Sequence, residues 1–249
     1  MIKAVRAESK NTILLLDAGS TLFGQSLARA SEGRVIIEAM NSLGYDAMVV
    51  GRADLSRGME PFLARVPEAR FPILSCNLVS KDGKLLLPPY IVLERGGVRY
   101  GILGVTDLET GNAPGILQVA EVLDPVESVR KHLPELDMRS DVIIVLSRLG
   151  LQEDQALARA VPGISVIVGG KSRTVMTAPE IVGHTVIVQM GYDGEWIGRL
   201  DVSLDSDAYH CESTLHSIAL GPDVASDPEM AAFVDSYYKR YPDVPRPAQ

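Results

Sequence analysis

Short apolar runs alternate with helix-period segments through most of the chain. TILLL (Thr12 to Leu16) predicts a buried strand that ends at Asp17-Ala18-Gly19. The next segment predicts a helix with Val35, Ile36, Ala39, Met40 and Leu43 on its apolar side and Gly44 as a left-handed stop. AMVV (Ala47 to Val50) and FPIL (Phe71 to Leu74) predict two further strands. Tyr90 to Gly104 predicts a hairpin about Arg95-Gly96-Gly97. Asp124-Pro125-Val126-Glu127 predicts a helix start, with Asp124 as N-cap, Pro125 in the first turn and Glu127 completing a capping box. VIIVL (Val142 to Leu146), a helix over Gln152 to Val161 and SVIV (Ser165 to Val168) follow. HTVIVQM (His184 to Met190) and WIGRLDVSL (Trp196 to Leu204) then predict strands. A final helix starts at Asp227-Pro228 and runs to about Arg240, before a polar tail, DVPRPAQ, that reads as frayed.

Strand–helix alternation followed by strand pairs predicts an α/β fold with two sheets packed face to face and helices outside. At 249 residues, 46% hydrophobic and 22% charged, the chain has ample material for a core. A net charge of −8 argues against a nucleic-acid surface, and no apolar run is long enough to span a bilayer. The four histidines, His132, His184, His210 and His216, form no H-x-H or H-E-x-x-H pattern. His132 reads as a helix C-terminal residue and His184 as a strand-edge residue. Cys76 ends an apolar strand and reads as a buried free thiol. The spacing around Gly101 and Gly104 is not a dinucleotide fingerprint, because the strand and helix context is wrong.

Polar, Gly-rich loops follow nearly every apolar strand: DAGS, GRADLSRG, SRLG and GGKSR. Loops gathered at the carboxyl ends of neighbouring strands are where α/β proteins build sites. These loops resemble the motif set of the 5′-nucleotidase branch of calcineurin-like metallophosphoesterases. That family runs D-x-H on its first strand, then D-x-G-D, G-N-H-[DE]-F-D, a later His at a strand end, and G-H-x-H. The matching phrases here are LLLDAGS (Leu14 to Ser20), MNSLGYDAMVVGRADLSRG (Met40 to Gly58) and FPILSCNLV (Phe71 to Val79). GVRYGILGVTD (Gly97 to Asp107), DVIIVLSRLG (Asp141 to Gly150) and GISVIVGGKSRT (Gly163 to Thr174) continue the match over almost the whole chain.

The resemblance implies a metallophosphoesterase-like four-layer αββα sandwich over residues 1–220, with a C-terminal helix and polar tail over 221–249. It places the D-x-H strand upstream of Met1, so the first family strand is expected to be lacking and the TILLL strand to present an open edge. A protein partner or a second copy of the chain is expected to cover that edge. At the aligned ligand positions, Ser20 stands for the bridging aspartate, Arg52 and Ala53 for Asn-His, and Asp54 for the acid. Ser56 stands for the following Asp, Arg148 for the later histidine, and Lys171 and Arg173 for both histidines of G-H-x-H. The family's two ions sit roughly 3.5–4 Å apart and generate the nucleophile. They need carboxylate and neutral imidazole donors, whereas Arg and protonated Lys offer no lone pair.

Two readings of these cations follow. In one, Arg52, Arg148, Lys171 and Arg173 converge, with Ser20 and Ser172 as hydroxyl donors, to bind phosphate, a nucleotide phosphate or a carboxylate without metal or cofactor. In the other, they pair with Asp17, Asp54 and Asp107 in a structural network that fills the old cavity. Tyr192, in GYDGEW, is a turn residue or a stacking surface at the mouth, and Trp196 reads as core. The expected function is a catalytically degenerate member of this fold serving as a structural or anion-binding subunit. The alternative is an active phosphomonoester or nucleotide hydrolase. No signal peptide is visible in MIKAVRAESK, so the chain as written is cytoplasmic, whereas the resembled family is often exported; the compartment stays open.

Overall fold

The computed structural model describes residues 1–9, 11–204 and 211–246. The first half of the chain forms α1 (Ile2–Glu8), β1 (Leu16–Asp17), α2 (Ser26–Ala30), α3 (Arg34–Leu43), β2 (Ala47–Val49), α4 (Met59–Arg65), β3 (Ile73–Leu74), β4 (Leu78–Ser80), β5 (Tyr90–Arg95) and β6 (Val98–Val105). The second half forms β7 (Ala120–Val122), α5 (Pro125–Arg139), β8 (Val142–Ser147), α6 (Leu151–Ala160), β9 (Val166–Gly169), β10 (Glu180–Val182) and β11 (Thr185–Gln189). The β12 (Trp196–Leu204) and β13 (Cys211–Ala219) ribbon and α7 (Pro228–Arg240) complete it.

Two sheets stack face to face. One is parallel, in the order β1-β2-β3, and the other runs β10-β11-β9-β8-β6-β5 with a parallel centre and antiparallel edges. The period-two alternation of strand side chains divides the apolar residues among three cores. Ala47, Val49 and Leu74 meet Ile102, Ile144, Leu146, Val186 and Val188 between the sheets. Met48 and Ile73 face outward onto Leu22 of the β1 loop and onto Ile37, Met40 and Phe62 of the helical layer. Leu103, Val105, Ile143, Val145 and Ile167 face the other way, onto Val129 and Leu136 of α5 and Leu157 of α6. The result is the four-layer αββα sandwich, with strands buried on both faces as their unbroken apolar runs require.

Several predicted elements differ in extent. TILLL pairs only through Leu16–Asp17 and is partly buried, because β1 is an edge strand with β2 as its one neighbour among the described residues. The Leu15 carbonyl accepts from Asp46 N, while Leu15 N donates to the Asp46 side chain. Glu127 completes no box at α5: Asp124 Oδ1 accepts from Glu127 N, and the Glu127 carboxylate pairs with Arg130. His132 lies within α5 rather than at its end, edge-on to Tyr90. The predicted set omits β13, whose alternating CESTLHSIA pairs along the whole of β12. It also omits α1, which is tethered by distant polar partners: Arg6 to the last carbonyls of α3 and Lys3 to Asp227 and Glu229. At the C-terminal side, α7 seats Tyr237 on Leu27, Ala28 and Val35. Cys76 is a free, buried thiol. His210 and Pro247–Gln249 lie outside the described residues.

Gly101 and Gly104 serve packing. A Cβ on Gly104 would sit 2.6 Å from Leu74 Cβ in the facing sheet, and one on Gly101 would sit 2.7 Å from Leu136 Cγ of α5. Replacing Gly104 by Ala therefore forces the sheets apart and is expected to destabilise the fold by about 1–3 kcal/mol in urea unfolding. A midpoint equal to that of the parent protein would contradict this packing.

Candidate functional site

Five loops emerge at the carboxyl ends of β1, β2, β6, β8 and β9 and meet above the two sheets. Their backbone is shaped for close approach. Gly19 has φ +81°, and a Cβ there would lie 2.2 Å from the Val49 carbonyl oxygen, so no side chain fits. Ser20, Lys171 and Arg173 hold φ of 66°, 75° and 58°. Three non-glycine residues in the left-handed region on two facing loops mark a place where surrounding contacts impose an unfavourable backbone.

The centre of the cluster is a fully buried carboxylate. Asp54 is 0% exposed. Its Oδ1 accepts from Thr21 N at 2.7 Å and Leu22 N at 2.8 Å, and its Oδ2 accepts from Ser20 N and Gly51 N, both at 2.8 Å. Burial pushes its pKa up to about 6, against the pull of these backbone donors. Asp17, at the end of β1, accepts from Gly19 N and from Thr21 Oγ1, each at 2.8 Å, through Oδ1. Burial raises Asp17 as well, while Thr21, Gly19 and Arg148 lower it. Among the described residues neither acid forms an ion pair, so the expected pairing with nearby cations is replaced by backbone and hydroxyl donors.

Arg148 reaches across from the end of β8. Its Nη1 donates to the carbonyls of Gly19 at 3.2 Å and Ala18 at 3.4 Å. Its Nε is buried without a hydrogen-bond partner among the described residues. A Cβ on Gly170 would fall 2.5 Å from Nη1 and one on Gly51 3.0 Å from Nε, so the guanidinium is packed against the β2 and β9 loops. Burial pushes its pKa down, and the charges of Asp54, Asp107, Asp17 and Asp154 hold it up, Asp54 most strongly. It remains protonated, as an arginine does.

The other predicted residues lie around this centre. Lys171 pairs with Asp107 at 3.6 Å and Glu109 at 3.5 Å. The exposed Arg173 stacks its guanidinium on the Tyr192 ring, 5.0 Å from the centroid. Ser172 Oγ accepts from Leu151 N and caps α6. Ser20 Oγ accepts from Ala53 N at 3.3 Å. Arg52 is exposed and forms no ion pair among the described residues. The structure thus brings together Asp17, Ser20, Asp54 and Arg148, leaves Lys171 paired to the side, and turns Arg52 and Arg173 outward. Trp196 is partly buried.

Sequence reasoning missed a buried trio beside Arg148. Asp154 accepts from Ser147 Oγ and, at 2.9 Å, from Gln189 Nε2. Nothing in the spacing of residues 147, 154 and 189 announces it. A groove of ≈ 290 Å³, lined by Ala158, Arg159, Pro162 and His184 among others, lies at the opposite end of α6 and takes no part in this site.

Relatives and solved structures agree with this architecture. The calcineurin-like phosphoesterase YfkN of Bacillus subtilis superposes with a TM-score of 0.84 at 21% identity, over 96% of this chain and 86% of that one, which establishes the fold. The 5′-nucleotidase precursor of Thermus thermophilus gives a TM-score of 0.88 at 29% identity, over 97% of this chain and 52% of its own. The snake venom 5′-nucleotidase of Gloydius brevicauda is 32% identical over 261 residues, which cover 94% of this chain and 44% of that relative. The chain therefore spans less than half the length of this curated relative. No protein-family model matches it. Homologues and structural neighbours together support a place in the 5′-nucleotidase-like, calcineurin-like phosphoesterase superfamily.

The trio carries a pH signature. Burial raises Asp154 from 3.8 to about 6, so the folded protein keeps a proton that the unfolded chain releases near its ordinary value. The stability associated with the neutral acid is present below about pH 4 and is lost as pH rises through about 6. Asp154→Asn stays neutral, and its amide N–H can donate to Gln189 Oε1, which has no partner among the described residues of the wild type. Thermal unfolding of the two proteins should diverge between about pH 4 and pH 7, the wild type losing on the order of 2–3 kcal/mol relative to the variant. Parallel profiles would contradict the assignment.

Proposed function

We propose that this chain is a catalytically degenerate 5′-nucleotidase-fold protein, a structural subunit in which a fixed guanidinium supplies the positive charge that two metal ions supply in the resembled family. The observation that carries the reading is Arg148, packed against the Ala18–Gly19 and Gly170 backbone with Asp54, Asp107 and Asp17 around it. The donors at hand do not fit a two-metal centre. Both oxygens of Asp54 are engaged by amides, Asp17 Oδ1 is held by Thr21 and Gly19, and the aligned histidine positions carry Arg148, Lys171 and Arg173. Among the described residues no group of three or more His, Cys, Asp and Glu side chains is arranged to hold a metal ion.

A second reading adds binding of a phosphate-containing or other anionic small molecule at the outer side of the cluster. Two exposed cations favour it in a chain whose net charge is −8: Arg52, with no ion pair among the described residues, and Arg173 on Tyr192. Among the described residues β1 has no strand on its outer side, and this edge is where a protein partner or a second copy would add one. The competing class is the active hydrolase that the curated relatives represent.

Assays with phosphomonoesters and nucleoside monophosphates in Mn²⁺, Co²⁺ or Zn²⁺ separate these classes. The expected result is no turnover above a protein-free control; metal-dependent turnover abolished by Asp17→Asn would overturn the reading. Thermal shift with phosphate and pyrophosphate tests the second reading: a stabilisation lost in Arg52→Ala plus Arg173→Ala supports it. An unchanged shift would place the ligand elsewhere.

A further inference from the structure

The Asp54 carboxylate has a coordination that a side chain seldom achieves. Four main-chain N–H groups, from Gly51, Ser20, Thr21 and Leu22, close on its two oxygens, two to each, at 2.7 to 2.8 Å. The residue is wholly buried, and Arg148 lies close enough for Asp54 to be the strongest acid charge acting on it. Converging amides of this kind form an anion-binding concavity in their own right, independent of the tenant. Two features built into the backbone set its shape. The left-handed φ of Gly19 and Ser20 turns successive amides of the β1 loop toward one point, and Gly51 brings the β2 loop against Ser20 Oγ.

We propose that the amides of Gly51, Ser20, Thr21 and Leu22 constitute an oxyanion receptor sized for a carboxylate group, and that the chain's own Asp54 is its resident ligand. The receptor is specific for a group with two acceptor oxygens and no donor. It clasps the β1 loop to the β2 loop and closes the floor of the cluster to outside anions. Arg52 and Arg173, both exposed, are then the groups an external anion meets first. The proposal is independent of whether the chain hydrolyses anything. When the Asp54 side chain is removed, the vacated receptor takes a free small carboxylate of the formate or acetate type. Phosphate, larger and tetrahedral, fits it poorly.

Chemical rescue of the full chain tests this. Asp54→Ala should melt several degrees below the wild type and regain most of the loss, saturably, in sodium formate at constant ionic strength. Chloride should not substitute, and wild-type melting should be insensitive to formate. Asp54→Asn, which keeps the volume but turns an N–H₂ toward two amide donors, should remain destabilised and unrescued. The proposal is overturned if Asp54→Asn melts with the wild type. It is equally overturned if formate raises Asp54→Ala no more than it raises a core variant such as Leu103→Ala. Should Asp54→Ala fail to fold, amide exchange in the wild type decides. Protection of Gly51, Ser20, Thr21 and Leu22 above that of neighbouring loop amides is expected, and rapid exchange at all four contradicts the receptor.

Discussion

Asp17, Asp54, Asp107 and Asp154 surround the guanidinium of Arg148 where the strands of both sheets end. A buried carboxylate must be matched by hydrogen bonds or by opposite charge, or it takes up a proton or the fold fails. Here the two means are divided. Hydrogen bonds satisfy each acid individually: amides for Asp54, a hydroxyl and an amide for Asp17 and likewise for Asp107, a hydroxyl and a carboxamide for Asp154. The single charge of Arg148 serves the group collectively, with Lys171 assisting Asp107. Removing Arg148 would therefore leave several acids to be neutralised by protonation rather than break one ion pair.

That arrangement connects the packing of the sandwich to the conformation of its loops. The sheets approach closely enough that Gly104 has no room for a side chain beside Leu74. Each parallel strand then delivers its following loop into the same small volume. The left-handed backbones of Ser20, Lys171 and Arg173 are the local consequence, and they persist because hydrogen bonds and close packing over-determine them.

Much of the fold is legible in residue order. The helix α3 follows from its apolar face and Gly44, and α7 from the Asp227-Pro228 start, because caps and periodicity are local. Elements held by distant partners are not legible: α1 depends on carbonyls at the end of α3 and on acids at the start of α7. The strand β13 hides because its polar alternation suits an exposed ribbon more than a core. At the site, the loops and the substituted ligand positions can be read directly. The choice of partner cannot, since whether Asp54 meets a guanidinium or four amides depends on ångström-scale loop geometry. The Asp154–Gln189 contact joins residues that share no motif.

If Arg148 takes the functional place of the metal ions, as proposed, crystals grown in Mn²⁺ should reveal it by anomalous diffraction. An anomalous map at the manganese edge should be featureless around Asp17, Asp54 and Asp107, with Arg148 still on the Ala18 and Gly19 carbonyls. An ordered manganese peak ligated by these aspartates, with the Arg148 side chain displaced, would instead make the cluster a metal centre.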